Sequence, residues 1–432
     1  MGQDQLSFEI IKRSVPFTTL SDFSNLLDKI KDKRIVMLGE SSHGTKEFYE
    51  WRTLLSIELI NNHGFNFIAV EGDWPPGQEI NRFIQNKTTL TIFDVLKKFN
   101  RWPTWMWANH EIAILMDVLK QKNLGVSKQV GFHGLDLYSL YESISEIGRQ
   151  LNDVDPRLAK KIKKYYSCFD PFLKSEREYV KSLIHHEPGC QEQVKLVLEE
   201  LISKSNHGVE TFFDAIQNAR VVKNADEYYR SMLSFNEDSW NVRDYHMLET
   251  LDMLLNHYGA HSKAIVWAHN THIGDYRATD MVAQGQINLG GIARQKYGKD
   301  NVALIGQTTY TGTVTASYAW DGAIEVMKVP KAKSGSLEFF LNQSIPQVGY
   351  ENYYLNFDDV DYLSPLNDHY GHRAIGVVYH PEHELRGNYV PTAVAKRYDG
   401  LVFFNSTQAL RPLQFKFDHE KIPDTYPFGT RI

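Results

Sequence analysis

Apolar positions along the chain fall into two patterns. Short, almost unbroken apolar runs recur at Ile35–Glu40, Phe65–Glu71, Gln129–His133, Lys263–His269 and Asn301–Thr308. Runs of this kind, without polar alternation, predict strands covered on both faces. Elsewhere apolar residues recur three and four positions apart. Phe48, Leu55, Leu59 and Ile60 predict a helix over about 45–63, stopped by Gly64. Phe23, Leu26, Leu27 and Ile30 predict a short one over 21–32, within a lead-in of residues 1–33, and another covers 111–122. Strand and helix in alternation predict an α/β fold: three layers, α/β/α, around a mostly parallel central sheet.

Residues 139–260 break that alternation. They hold no strand pattern and four amphipathic helical ones, roughly 139–151, 157–168, 190–204 and 209–257, the last interrupted near Phe235-Asn236. This stretch is expected to be a large helical insertion over the sheet, inside a single domain spanning 1–432. Shorter strand-like pieces follow at Val326–Val329, Ala374–Tyr379 and Leu401–Asn405.

Composition narrows the setting more than the fold. A hydrophobic share of 42% with 23% charged residues is that of an ordinary globular protein. A net charge of −6 argues against nucleic acid or an anionic membrane as partner. There is no signal-peptide core and no run of transmembrane length. Cys168 and Cys190 are too few for a disulfide framework and are not at metal spacing, so reduced thiols and a cytoplasmic location are expected.

The chemistry gathers at strand ends. Glu40 closes the first predicted strand and His43 follows; Glu71 closes the second, with Asp73 beyond; His133 closes the third, with Asp136 beyond; His269 closes the fourth, followed by Asn270, Thr271 and His272. In a parallel sheet these ends share one rim, where ligands bind. A half-buried charge there costs several kcal/mol unless paired, so the repeated pattern points to a site. Read singly, Glu40 suits a helix N-terminus, and His133 reads best as the mere finish of a strand. Together, Glu40, His43, Glu71 and His269 suit base-assisted attack of water, with Arg52, His272 or Asn270 as donors to an oxyanion. The segment 99–110 is dense in tryptophan; Trp105 there, and Trp74 after the second strand, are candidate pocket walls or core packing. The same carboxylates and histidines suit Zn²⁺ or Mn²⁺ as an alternative. No Gly-x-Ser-x-Gly elbow and no glycine-rich phosphate loop is present.

Gly39-Glu40-Ser41-Ser42-His43-Gly44-Thr45 with Glu47, Phe48 and Arg52 resembles the signature of the erythromycin esterase family, as do Glu71 and Trp267-Ala268-His269-Asn270-Thr271-His272. Softer matches are Arg243-Asp244 with Met247, and Arg373-Ala374-Ile375-Gly376 to Tyr379. Within the family the chain looks closest to Bacillus-type proteins labelled succinoglycan biosynthesis proteins. The resemblance implies hydrolysis of an ester or lactone, such as that of a macrolide like erythromycin, with no cofactor or metal and a small molecule as partner. It implies His43 as the base that activates water, Glu40 and Glu71 as tuning groups, and Arg52, His269 and His272 as substrate-binding and charge-stabilising groups. The wider superfamily includes haem-binding proteins, so a flat apolar ligand is the non-enzymatic alternative. Ser41-Ser42 stands where many of these esterases carry alanine and threonine.

Overall fold

Successive strand residues point to opposite faces of a sheet, and the buried runs sort their side chains accordingly. Val36, Leu38, Ile68, Val70, Ile265, Trp267, Ala303 and Ile305 pack into one core with the helices Lys46–His63, Trp74–Ile84 and His110–Lys122. Ile35, Met37, Phe67, Ala69, Ala264, Val266, Val302 and Leu304 pack into a second core with the helices Asp238–Tyr258, Leu289–Tyr297 and Leu337–Val348. Each such side chain contributes about 1.5–3 kcal/mol by leaving water. Two cores separated by one sheet make the three expected layers.

The computed structural model describes residues 2–185, 189–204, 210–234 and 238–425. Its strands are β1 (Ser14–Pro16), β2 (Ile35–Leu38), β3 (Phe67–Asp73), β4 (Gly131–Asp136), β5 (Ala264–Trp267), β6 (Val302–Ala316), β7 (Glu325–Val329), β8 (Tyr353–Asn356), β9 (His369–Arg373), β10 (Tyr389–Ala393) and β11 (Gly400–Thr407). The main sheet has nine strands in the order β1-β8-β11-β6-β2-β5-β3-β4, with β7 on the end of β6. From β11 to β4 all neighbours are parallel; β1, β8 and β7 pair antiparallel at the margins. β9 and β10 form a separate hairpin. After β2 the chain crosses to β3 and β4, returns to β5 between them and β2, then passes to β6 on the other side. That reversal makes a crevice above the carboxyl ends of the central strands.

Several expectations shift. Residues 2–13 form a helix and lead into β1, where a lead-in with only a later helix was expected. β4 runs on to Asp136, so His133 lies inside the strand and Asp136 ends it. Residues 374–379 form no strand; they touch the loops at Ser42 and Ser317 by isolated bridges. Residues 140–258 hold helices joined by short turns and no strand where described, and carry a hydrophobic cluster of their own, including Leu140, Ile147, Val194, Leu201 and Tyr229. The break predicted at Phe235-Asn236 lies outside the described residues. Cys168 and Cys190 correct the reduced-thiol reading: they form a disulfide, with Cα atoms 5.8 Å apart. Spacing in sequence carries no record of that approach. Among the described residues no helix is long and apolar enough to cross a membrane.

Candidate active site

Each central strand ends by handing a polar group to the crevice. After β2, Gly39 lets the chain pass against the short helix that follows β5: a Cβ at this position would lie 2.1 Å from Asn270 Oδ1. The backbone N–H of Asn270 donates to the Glu40 carbonyl at 2.8 Å, tying the two loops. Glu40 is then held by both oxygens. Oε1 accepts from His43 Nδ1 at 3.0 Å, and Oε2 accepts from Arg52 Nη2 at 2.6 Å. Arg52, fully buried on the helix that follows, lies over the rings of Tyr49 and Trp267. A carboxylate can only accept, so Nδ1 of His43 carries the hydrogen and its Nε2 presents a lone pair when the ring is neutral. That nitrogen lies 4.0 Å from Glu71 Oε1, and the His43 ring is 4.9 Å from that of His269.

His269 caps the short helix Asn270–Ile273. Its Nδ1 accepts from the backbone N–H of Thr271 at 3.3 Å and lies 2.8 Å from the Thr271 hydroxyl. A neutral imidazole that accepts at Nδ1 carries its proton on Nε2. Burial, with the nearby His43, holds His269 well below the usual imidazole range, against the pull of Glu71. Its Nε2 is buried and has no hydrogen-bond partner. His269 therefore offers an N–H donor beside the His43 lone pair.

Glu71 anchors the other half. Its Oε2 accepts from the His269 backbone N–H at 2.8 Å, and its Oε1 accepts from Arg243 Nη2 at 2.9 Å and faces His272 Nε2 at 3.3 Å. Burial opposes its charge, but His272, His43 and Arg243 hold it well below the usual carboxylate range. Arg243, on the helix Asp238–Tyr258, also grips Asp136 with Nε at 2.8 Å and Nη2 at 2.6 Å. His272 donates from Nδ1 to Asp244 at 2.9 Å and stacks on Trp240, the rings 8° from parallel. Burial and Arg243, whose Nη1 is 3.1 Å away, oppose charge on His272. Asp244 and Glu71 outweigh them and raise it to about 9.

This shift has a measurable consequence. A histidine raised from 6.5 to about 9 contributes stability fully present below about pH 6.5, which is lost as pH rises through 9. The melting temperature is expected to fall over that alkaline window. A His272→Gln variant should flatten the fall; an unchanged profile would contradict a charged His272.

The structure thus gathers Glu40, His43, Arg52, Glu71, His269 and His272 at one place. Asn270 sits beneath them, its amide donating to the Gln307 carbonyl at 2.9 Å, and binds loops together. Trp74 and Trp105 correct the pocket-wall reading, since both are fully buried. Trp74 stacks on His133, and Trp105 belongs to the core under the neighbouring helices. His133 itself faces Tyr258 at 2.9 Å and burial lowers it to about 3, in keeping with a core histidine. Arg243, Asp244, Asp136 and Trp240 had no assigned role in the sequence reading, although Asp136 followed a predicted strand and Arg243-Asp244 was a softer family match. The available signal was a charged pair, Arg243-Asp244, directly preceding the apolar positions Met247, Leu248 and Leu251 of one helix.

The site is enclosed. His43 is only 5% exposed, so little of its ring is open to solvent. A cavity of about 610 Å³ lies nearby, lined by Pro75, Tyr141, Glu142, Glu176 and Lys421 among others, and by none of the rim histidines. Arg101 joins the two regions, bonding Asp73 at the end of β3 as well as Glu142 and Glu176.

A mostly parallel sheet with carboxylates, histidines and arginines gathered at its carboxyl rim defines an α/β protein with a buried polar site at its strand ends. The chain belongs to the erythromycin esterase family, whose sequence model matches residues 60–407 and so begins after the loop carrying Glu40 and His43. It is 24% identical over 336 residues to an erythromycin esterase type II of Escherichia coli, covering 71% of this chain and 76% of that one. It is 23% identical over 408 residues to a putative hydrolase, YbfO, of Bacillus subtilis strain 168, covering 88% and 85%. Among solved structures, a Bacillus cereus protein superposes with a TM-score of 0.80 at 18% identity, covering 95% of this chain and 99% of that one. A protein described as a succinoglycan biosynthesis protein gives 0.76 at 20% identity, covering 95% and 98%. A mutant of the erythromycin esterase EreC in its open conformation gives 0.66 at 16% identity, covering 92% and 96%. These likenesses establish the fold, and family membership points to ester hydrolysis as the class of reaction.

Proposed function

We propose that the chain hydrolyses a carboxylic ester or lactone, of macrolide type or related, by water that His43 activates. The observation that carries this reading is the chain Arg52–Glu40–His43, which fixes the tautomer of His43, beside the buried Nε2–H of His269. His43 Nε2 takes a proton from water while the oxygen forms a bond to the ester carbonyl carbon. The carbonyl oxygen becomes an oxyanion and accepts from His269 Nε2–H, within reach of the cations His272 and Arg243. The intermediate then expels the alkoxide, which takes the proton back from His43, leaving acid and alcohol. Glu71 is already saturated by Arg243 and the His269 amide and serves to hold those donors.

The metal-dependent reading has less support on this rim. Arg243 lies between Glu71, Asp136 and His272, where its guanidinium supplies the positive charge that a metal ion would bring. A haem-type ligand fares no better at the tryptophan-rich segment, since Trp102, Trp105 and Trp107 are buried and offer no open face. The test is mass spectrometry of erythromycin and a panel of lactones and esters incubated with the protein. Gain of one water by at least one substrate, at a rate unchanged by chelator, is expected. No hydrolysis across the panel, or a rate abolished by chelation, would refute the proposal.

A further inference from the structure

Among the described residues, one group of three side chains brings metal-ligand atoms within 4.8 Å of one another: His380, Glu382 and His383. None of them belongs to the rim. They lie in His380-Pro381-Glu382-His383-Glu384, a stretch that the functional reading leaves unused. Residues Pro381–His383 form a 3-10 turn, closed by the His383 N–H donating to the His380 carbonyl at 2.9 Å. In such a turn, positions three apart eclipse, which puts both imidazoles on one side. Their ring centres are 6.0 Å apart, and His380 Nδ1 lies 3.5 Å from Glu382 Oε1. A tetrahedral zinc ion with bonds of about 2.0–2.2 Å sets its ligand atoms roughly 3.3–3.6 Å apart.

The turn is rigidly held. Glu384, next in sequence, is buried and pairs with Arg373 at 2.6 Å. Arg373 also donates to the carbonyls of Thr309 at 2.6 Å and Pro330 at 2.8 Å. Asn388 and Ala374 bond to each other twice across the base of the loop, at 2.8 and 2.9 Å. On the other side the Tyr379 N–H donates to the Ser317 carbonyl at 2.9 Å. Three ligand side chains thus project from a fixed backbone. The side chains of His380 and Glu382 are 43% and 55% exposed, which leaves a path for the ion and room for water as fourth ligand.

We propose that His380, Glu382 and His383 bind one divalent transition-metal ion of the class that prefers imidazole, with zinc as the probe. Two imidazoles with one carboxylate exclude calcium and magnesium, which take oxygen ligands. Residues 375–380 lie between this turn and the rim, the Ile375 N–H donating to the Ser41 carbonyl at 2.8 Å. The metal site is structural, separate from the hydrolytic chemistry. Metal found in the purified protein would therefore say nothing about a metal at the rim until this site is removed.

The experiment is calorimetric titration of the full chain, stripped by chelator, with zinc at neutral pH, for the wild type and for the double variant His380→Ala, His383→Ala. We expect one equivalent bound with a Kd tighter than about 100 μM, weakened at least about tenfold in the double variant. Both changes are on exposed side chains, so circular dichroism and any ester hydrolysis should be unaltered. Cobalt in place of zinc should give a tetrahedral visible spectrum in the wild type and none in the variant. Absence of saturable binding at that level, or equal binding by the variant, would overturn the proposal. Because the readout is binding, its failure is distinct from a failure of the esterase reading.

Discussion

His43→Asn is expected to lower kcat/KM for ester hydrolysis by about 10²–10⁴-fold, the contribution of a positioned general base. The physical case rests on what asparagine keeps and what it removes. Its amide can still donate toward Glu40, so the buried Glu40–Arg52 pair stays satisfied and the loop keeps its main tie. It offers no titratable nitrogen where His43 Nε2 stands beside His269. Turnover of whichever ester the wild type cleaves, measured together with melting temperature and circular dichroism, separates the two effects. A stable variant with activity within about threefold of wild type would remove His43 from the base role.

The largest stability effect is expected at Arg243. Its Nη2 serves Glu71 and Asp136 together, and its Nε serves Asp136 as well. Arg243→Met keeps much of the stem but leaves two buried carboxylates without their shared cation. Breaking a buried pair in this way costs about 3–5 kcal/mol. The urea midpoint should fall accordingly. Adding Asp136→Asn to the same chain should recover part of the loss, because one unpaired charge is then gone. A midpoint unchanged by Arg243→Met would mean that neither carboxylate depends on Arg243.

Strand ends were legible because they obey local rules. Unbroken apolar runs marked β2, β3 and β5, and a polar group following such a run marked the crevice. Glu40, His43, Glu71 and His269 could therefore be placed at one rim from position alone, and the structure brings them together there. The Arg243 cluster could not, because its members meet only in three dimensions: Arg243 and Glu71 are 172 positions apart. A charged pair on a helix ordinarily faces solvent, and only the packed fold shows this one facing two carboxylates. The tryptophans failed for the opposite reason. Composition marks a large apolar surface but not whether protein or ligand covers it, and Trp74 and Trp105 are covered by protein. Residues 374–379 read as a strand from their apolar content, yet their backbone partners are the loops at Ser42 and Ser317 and not a continuous ladder.

The order of strands carries a consequence for synthesis. β5 sits between β2 and β3 in the sheet, although it begins at Ala264 and β3 ends at Asp73. At about 5–20 residues per second, a ribosome takes roughly 10–40 s to cover that interval. During it, β2 and β3 lack their common neighbour and the crevice has neither His269 nor His272. The intervening helices emerge meanwhile, with a hydrophobic cluster of their own to bury. The rim is therefore completed late in translation, when β5 takes its place between β2 and β3 and brings His269 and His272 to Glu40, His43 and Glu71.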